Sequence, residues 1–327
     1  MVMSKQSYIS IFVPTYNGEK YIRDLIEAVL SQELPKGYAL DFIITDSGSK
    51  DNTVKIVRGY GKRIRFDEIL NSEFGHGKTR QRAAMMAKGD YILFLSQDAT
   101  PTSIRWVIDM IEPFFISDKV GAVFGRQIPR PTSVPTIKRE VASVFGALGS
   151  PDSLILHREK SLVDGTPVNT LNTFFSDVNS AVRKDLIDKI PFRDLPYAED
   201  QALAQDIQNA GYLKAYSVRG VVWHSNEYSV REFRKRKYDE YVGLIKSVDY
   251  TIERPLFTAL LGWVKPSIRD MVFTLRDNEY SIKRKLYYLP LAIGYNLSLV
   301  WGRYDASKYT EKNHSKKSLE QSRKKLS

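Results

Sequence analysis

The residues of this sequence best placed for chemistry are carboxylates at the ends of apolar strands and at the start of a helix. Asp98 stands two residues beyond the apolar run YILFLS, in SQDATP. A carboxylate there suits a hard divalent cation bridging two phosphates, and it equally suits the cap of a helix beginning after Pro101. Asp46 closes a second apolar strand and opens the turn DSGSKD. It can accept hydrogen bonds from a ribose or base edge, or it can cap the turn. Glu199 and Asp200, in PYAEDQAL, precede a helical pattern, where they complement the helix dipole or present a general base to a cleft. His224 ends the apolar run VVWHS. A lone histidine is most often structural, but imidazole beside Asp98 would complete a manganese- or magnesium-type site. The run FGHGKTRQR, residues 74–82, gathers glycines, His76, Lys78, Thr79, Arg80 and Arg82 at a helix start. It reads as an anion-binding helix end or as a solvated basic one, and not as a P-loop, because G-x-x-x-x-G-K-[ST] is not satisfied.

A scaffold must hold these positions, and strand–helix alternation supplies it. Residues 8–14, 39–45, 63–69, 91–96 and 120–126 read as strands, and 19–31, 52–58, 77–87 and 103–115 as helices. Tyr21, Ile22, Leu25, Ile26, Val29 and Leu30 make one apolar face of the first helix. This order predicts an α/β fold with a mostly parallel, Rossmann-like sheet covered on both faces, which binds ligands beyond the carboxyl ends of its strands. Polar turns stand there: PTYNGE, TDSGSKD and SQDATP. Residues 127–172 are less regular and proline-rich, with one helix near 137–148. Residues 185–189, 200–209 and 230–246 read as helical and 213–223 as extended.

Bulk properties narrow the classes. The 327 residues include no cysteine, which excludes a disulfide framework, thiolate zinc sites and a Cys nucleophile. The N-terminus has no apolar run of signal-peptide length. Net charge is +11, and the tail from Ser307 carries seven basic against two acidic residues. Such an excess serves nucleic acid, an anionic membrane or a phosphate-rich substrate. The basic run REFRKRK has no helix-turn-helix, zinc-finger or RNP signature beside it, so nucleic acid is not an expected partner.

Taken in order, FVPTYNGEKYI, TDSGSKDNT, GHGKTRQ, GDYILFLSQDATP, AEDQAL and VVWHS resemble the family 2 glycosyltransferases of GT-A fold. Within that family the likeness is to bacterial rhamnosyltransferases of cell-wall polysaccharide synthesis, and it covers residues 9–246. The resemblance implies a GT-A catalytic domain over 1–250, with its donor side at 1–126 and its acceptor side at 127–250. A helical C-terminal extension over 251–306 and a basic tail over 307–327 would follow.

The same resemblance implies roles. Pro14, Thr15, Tyr16 and Glu19 would shape the nucleotide pocket, and Asp46 would meet the base or ribose. Arg80, with His76, Gly77 and Thr79, would lie against the sugar diphosphate. Gln97 and Asp98 stand at the family's D-x-D position, with one carboxylate left in SQDA. Asp98 and His224 would hold Mn²⁺ or Mg²⁺. Asp200 matches the catalytic base, with Glu199 as its alternate. Arg126, Gln127, Asp177 and Asn179 would lie near the sugars on the acceptor side. The implied reaction is inverting transfer, of L-rhamnose from dTDP-L-rhamnose, to a polyprenyl-diphosphate-linked saccharide. The runners-up are transfer of glucose, galactose or GlcNAc, and a nucleotide-sugar-binding protein without catalysis.

The C-terminal stretches 255–264 and 286–302 are apolar and rich in Tyr and Trp, with basic flanks. They predict helices lying in a membrane interface, or an oligomer contact. With a lipid-linked acceptor, the expected location is cytoplasmic, peripheral on the inner face of the plasma membrane.

Overall fold

The computed structural model describes residues 6–148, 155–157, 162–163, 166–167, 174–195, 197–224, 228–248, 251–253 and 255–319. By internal contact the chain divides into two units: residues 1–128 with 145–224, and residues 129–144 with 225–327. The sequence-based boundary at 250 thus falls after the helix Val230–Val248, which packs on Ile282–Ser307 in the second unit.

The first unit is built on one sheet. Its strands are β1 (Ser7–Thr15), β2 (Tyr38–Asp46), β3 (Arg65–Glu68), β4 (Tyr91–Leu95), β5 (Thr100–Pro101) and β6 (Val120–Ile128). They are followed by β7 (Ile155–His157), a separate two-stranded pair β8 (Leu162–Val163) and β9 (Thr166–Pro167), then β10 (Asn179–Arg183) and β11 (Leu213–Trp223). The spatial order is β3-β2-β1-β4-β10-β6-β11-β5, with β7 also paired to β11. β1, β2, β3 and β4 run parallel, as do β6 and β11. β10 lies antiparallel between β4 and β6, a strand the alternation does not predict, because NSAVR is short and follows an irregular stretch.

Burial explains why these runs are strands. Ile9, Ile11, Val13, Ile44, Leu93, Leu95 and Val123 are enclosed in one core with Ile22, Leu25, Ile26, Val29 and Trp106 from the covering helices. Each such side chain contributes about 1.5–3 kcal/mol on burial. That core leaves the carboxyl ends of β1, β2 and β4 as the place where polar residues gather.

The second unit is helical: Val230–Val248, Pro255–Leu261, Val264–Arg276, Ile282–Ser307 and Glu311–Lys317, with residues 135–144 of the helix Pro135–Ala147. Charge pairs fasten it. Lys138 bonds Asp277 (3.1 Å) and Glu279, Arg139 meets Asp270, and Lys237 meets Glu140 and Glu240. Within the stretch 286–302, expected at an interface, Ala292, Tyr295, Asn296, Val300 and Gly302 are buried in this unit, while Leu286 and Tyr287 at its start are exposed. Gly302 is required there, since a Cβ would come within 2.6 Å of the Arg234 carbonyl oxygen. Among the described residues no helix is long and apolar enough to cross a membrane.

Candidate active site

Two loops at the carboxyl ends of β1 and β2 are laced together. Asp46 ends β2 with 1% exposure, and its carboxylate accepts from Thr15 Oγ1 (2.8 Å), Ser49 Oγ (2.6 Å) and the backbone N–H groups of Gly48 and Ser49. Asn17, held at φ 50°, donates its N–H to Ser49 Oγ and accepts from Lys50 N–H through Oδ1. Glu19 Oε2 accepts from the backbone and side chain of Asn52. Gln97, beyond β4, forms a paired amide contact with the Tyr16 backbone, at 2.9 and 3.0 Å. The sequence assigned Asp46, Glu19 and Gln97 to the donor. Their polar atoms here fix the loops, and Pro14 and Tyr16 remain half-buried on the rim.

Beside Gln97, Asp98 and His224 come together although 126 positions separate them in the chain. His224 Nε2 lies 3.6 Å from Asp98 Oδ2, and Ser96 Oγ donates to Asp98 Oδ1 at 2.7 Å. His224 Nδ1 is 2.9 Å from Gln127 Oε1, while Gln127 Nε2 donates to Ser176 Oγ at 3.1 Å. That network assigns the proton to Nδ1 and turns the Nε2 lone pair toward Asp98. An imidazole oriented through its other nitrogen is the usual preparation of a metal ligand. One carboxylate and one imidazole fit Mn²⁺ or Mg²⁺ chemistry. Among the described residues no group of three or more His, Cys, Asp or Glu is arranged to hold a metal ion, so this pair would hold one with two protein side chains. Gln127, expected on the acceptor side, orients His224.

A second centre forms where the helices His76–Met86 and Glu199–Asn209 meet β10. Ala198 takes the left-handed conformation, φ 61°, at a cost of about 1–3 kcal/mol, and presents Glu199 and Asp200 at the N-terminus of their helix. Gly77 allows the close approach: a Cβ there would sit 2.2 Å from the Arg193 carbonyl oxygen. Arg80 Nη1 bonds Glu199 Oε1 at 2.6 Å and donates to the His76 carbonyl at 3.2 Å. Its Nε lies 3.0 Å from Asp177 Oδ2, an ion pair whose angle is too bent for a hydrogen bond. Asp200 Oδ2 accepts from the Asp177 N–H (3.1 Å) and Oδ1 from the Gln201 N–H (2.8 Å). Ser180 Oγ donates to Asp177 Oδ1.

Three carboxylates therefore surround one guanidinium. Burial pushes the Asp200 carboxyl up to about 7, with the Glu199 charge adding to the rise and Arg80 and the two N–H donors opposing it. Asp177 is pushed up to about 6, again by burial first, with Arg80 opposing and the Asp200 charge adding. Groups this close titrate as one system. Asp200 is partly exposed, whereas Glu199 is 5% exposed and bound to Arg80.

Two sequence assignments change. Arg80, expected against the diphosphate, is 7% exposed and engaged by carboxylates. Asn179, expected near the sugars, is fully buried: its Oδ1 accepts from Trp106 Nε1 and its Nδ2 donates to the Arg126 and Gly220 carbonyls. It staples the sheet. Arg126 is half-buried next to Tyr216. His76 and Thr79 begin the helix that carries Arg80, and Thr79 is buried. The sequence reading missed Ser176, which positions Gln127, and Lys214, a buried lysine whose Nζ donates to the Phe174 carbonyl at 2.8 Å. Burial lowers Lys214 to about 7. Neither carried a signal in the sequence, since one serine and one basic residue within a strand are ordinary.

A mostly parallel sheet with an acidic and imidazole pair past β4, and a carboxylate at a helix start beyond β10, defines a glycosyltransferase of GT-A type. The chain belongs to the family described as Glycosyl transferase family 2, whose model matches residues 10–190. It is 28% identical over 299 residues to the O-antigen chain rhamnosyltransferase RfbN of Salmonella typhimurium, covering 90% of each chain. To the O-antigen chain rhamnosyltransferase WbaN of Salmonella anatum it is 29% identical, covering 89% of each. Among solved structures it is similar to the mannosyltransferase PcManGT from Pyrobaculum calidifontis in complex with GDP-Man and Mn²⁺, with TM-score 0.55 and 18% identity over 88% of this chain and 74% of that one. It also resembles TarS 1–349 of S. aureus in complex with UDP, with TM-score 0.52 and 18% identity over 93% of each. Those two likenesses establish the fold.

Proposed function

We propose that this glycosyltransferase moves L-rhamnose from dTDP-L-rhamnose, with inversion, onto a saccharide carried on a polyprenyl diphosphate at the inner face of the plasma membrane. The rhamnosyl assignment is supported by RfbN and WbaN, to which the chain aligns over nearly its whole length. The mechanism rests on one observation: Asp200 is partly exposed, fixed by two backbone N–H groups and pushed up to about 7 by burial. A base with that proton affinity takes a hydroxyl proton near neutral pH.

In the proposed step the acceptor hydroxyl gives its proton to Asp200. Its oxygen forms the new bond to the anomeric carbon as the bond to the diphosphate breaks on the opposite face, and those electrons leave on the phosphate oxygen. Asp98 and His224 would hold a divalent cation, Mn²⁺ or Mg²⁺, whose charge stabilises the leaving diphosphate. Pro14, Thr15 and Tyr16 would bound the nucleotide, on a floor that Asp46, Glu19 and Gln97 keep rigid. Arg80 holds Glu199 and Asp177 around the base.

Nucleoside diphosphate release with a panel of donors, a lipid-linked acceptor, and either metal or chelator tests this. Metal-dependent release with dTDP-L-rhamnose alone is the expected result. Release with a glucose, galactose or GlcNAc donor instead would discard the rhamnosyl assignment and keep the mechanism. Donor binding without release from any donor would leave a binding protein.

A further inference from the structure

The helix Val264–Arg276 is built inside out. Its buried residues are Ser267, Asp270 and Thr274, while Val264, Ile268, Val272 and Leu275 are 39%, 58%, 41% and 55% exposed. Those four, spaced at i, i+4, i+8 and i+11, form one stripe along the outer side. The orientation is locked by polar contacts within the unit. Asp270 pairs with Arg139 and accepts from Asn296 Nδ2 at 2.7 Å. Thr274 Oγ1 and Ser267 Oγ are satisfied within the helix itself, donating to the Asp270 and Trp263 carbonyls at 2.7 Å each. Turning the helix to hide the stripe would strand a buried carboxylate, so the fold holds apolar residues outward against the hydrophobic effect.

The stripe does not stand alone. Eleven of the sixteen large apolar side chains exposed among the described residues lie between Leu256 and Tyr287. They belong to Pro255–Leu261, Val264–Arg276 and the start of Ile282–Ser307, and the first two of these helices pack on the third. A patch of this kind marks a contact surface. Its charges select the occupant. Lys265, Arg269, Arg276, Lys283 and Arg284 are exposed on the same segments without an acidic partner among the described residues. The exposed acid of this stretch, Glu279, is paired with Lys138.

We propose that this face seats in an anionic lipid bilayer, with the helices lying in the plane of the interface. The stripe of Val264, Ile268, Val272 and Leu275 enters the acyl region, and the flanking lysines and arginines meet lipid phosphates. With no described helix able to span, the contact is one-sided. This deepens the membrane location proposed above, and it is independent of which sugar is moved.

The test is co-sedimentation of the full chain, without donor or acceptor, with phosphatidylcholine vesicles that contain or lack phosphatidylglycerol. Binding to the anionic vesicles is expected, weakened about tenfold or more by Ile268→Glu with Leu275→Glu, and by Lys283→Glu with Arg284→Glu. All four positions are exposed, so the thermal melt should be unchanged, and nucleoside diphosphate release with a water-soluble acceptor should persist. Failure of the wild type to bind, or equal binding by the variants, overturns the proposal. So does a wild-type dimer by light scattering that Ile268→Glu with Leu275→Glu dissociates, since a second copy would then cover the face. Loss of turnover with intact vesicle binding would count against the catalytic reading alone.

Discussion

Two acidic centres of the same unit are built in opposite ways. Around Asp98 the protein supplies one carboxylate and one oriented imidazole, and it leaves Asp98 20% exposed. Around Asp200 it supplies three carboxylates, a single buried arginine and a strained Ala198 that sets the helix start. In the first arrangement a carboxylate and an imidazole stand where the proposal above places a cation. The second has surplus negative charge, and there burial and the neighbouring Glu199 carboxylate raise Asp200 to about 7. Only the second centre thereby offers a carboxylate whose affinity for protons is raised to near neutral pH.

Breaking the second centre should have the largest effect. Arg80→Met leaves Glu199 and Asp177 buried without their cation, and we expect a loss of about 3–5 kcal/mol in stability, read from chemical denaturation. A loss under about 1 kcal/mol, within the range of an exposed pair, would show that the cluster does not depend on Arg80.

The first centre should respond more gently. Gln127→Ala frees the His224 ring without removing it, and Mn²⁺ affinity, measured by titration of the protein with donor bound, should fall about 10–100-fold. Unchanged affinity would remove His224 from the metal shell or Gln127 from its orientation.

The smallest effect sharpens the comparison most. The Glu199 charge raises Asp200, so Glu199→Gln should lower it, and the acid limb of kcat/KM should move to lower pH. An acid limb that stays in place or moves upward would show that another group sets it.

Much of this was legible in the sequence. The apolar runs at 8–14, 39–45 and 91–96 located β1, β2 and β4 to within a residue or two, because strands buried on both faces read as continuous apolar stretches. The chemistry-bearing turns followed from that. What stayed hidden depended on distant partners. Arg80 reads as an anion ligand because its carboxylate Glu199 is 119 positions away. Asn179 reads as polar and available because Trp106, 73 positions back, uses its Oδ1. The later part of 286–302 reads like its start because the apolar residues give no sign that Val230–Val248 packs on that helix, whereas 264–276, with fewer apolar residues, carries an exposed stripe.

The proposed role of Asp200 as the base is tested by the pH dependence of nucleoside diphosphate release by wild type and Asp200→Asn at saturating metal. An acid limb near pH 7 is expected in the wild type, with activity rising as Asp200 loses its proton. In the variant that limb should vanish and turnover should fall at least about 10²-fold, with the thermal melt retained. Near-normal turnover in Asp200→Asn, with the same limb, would contradict it.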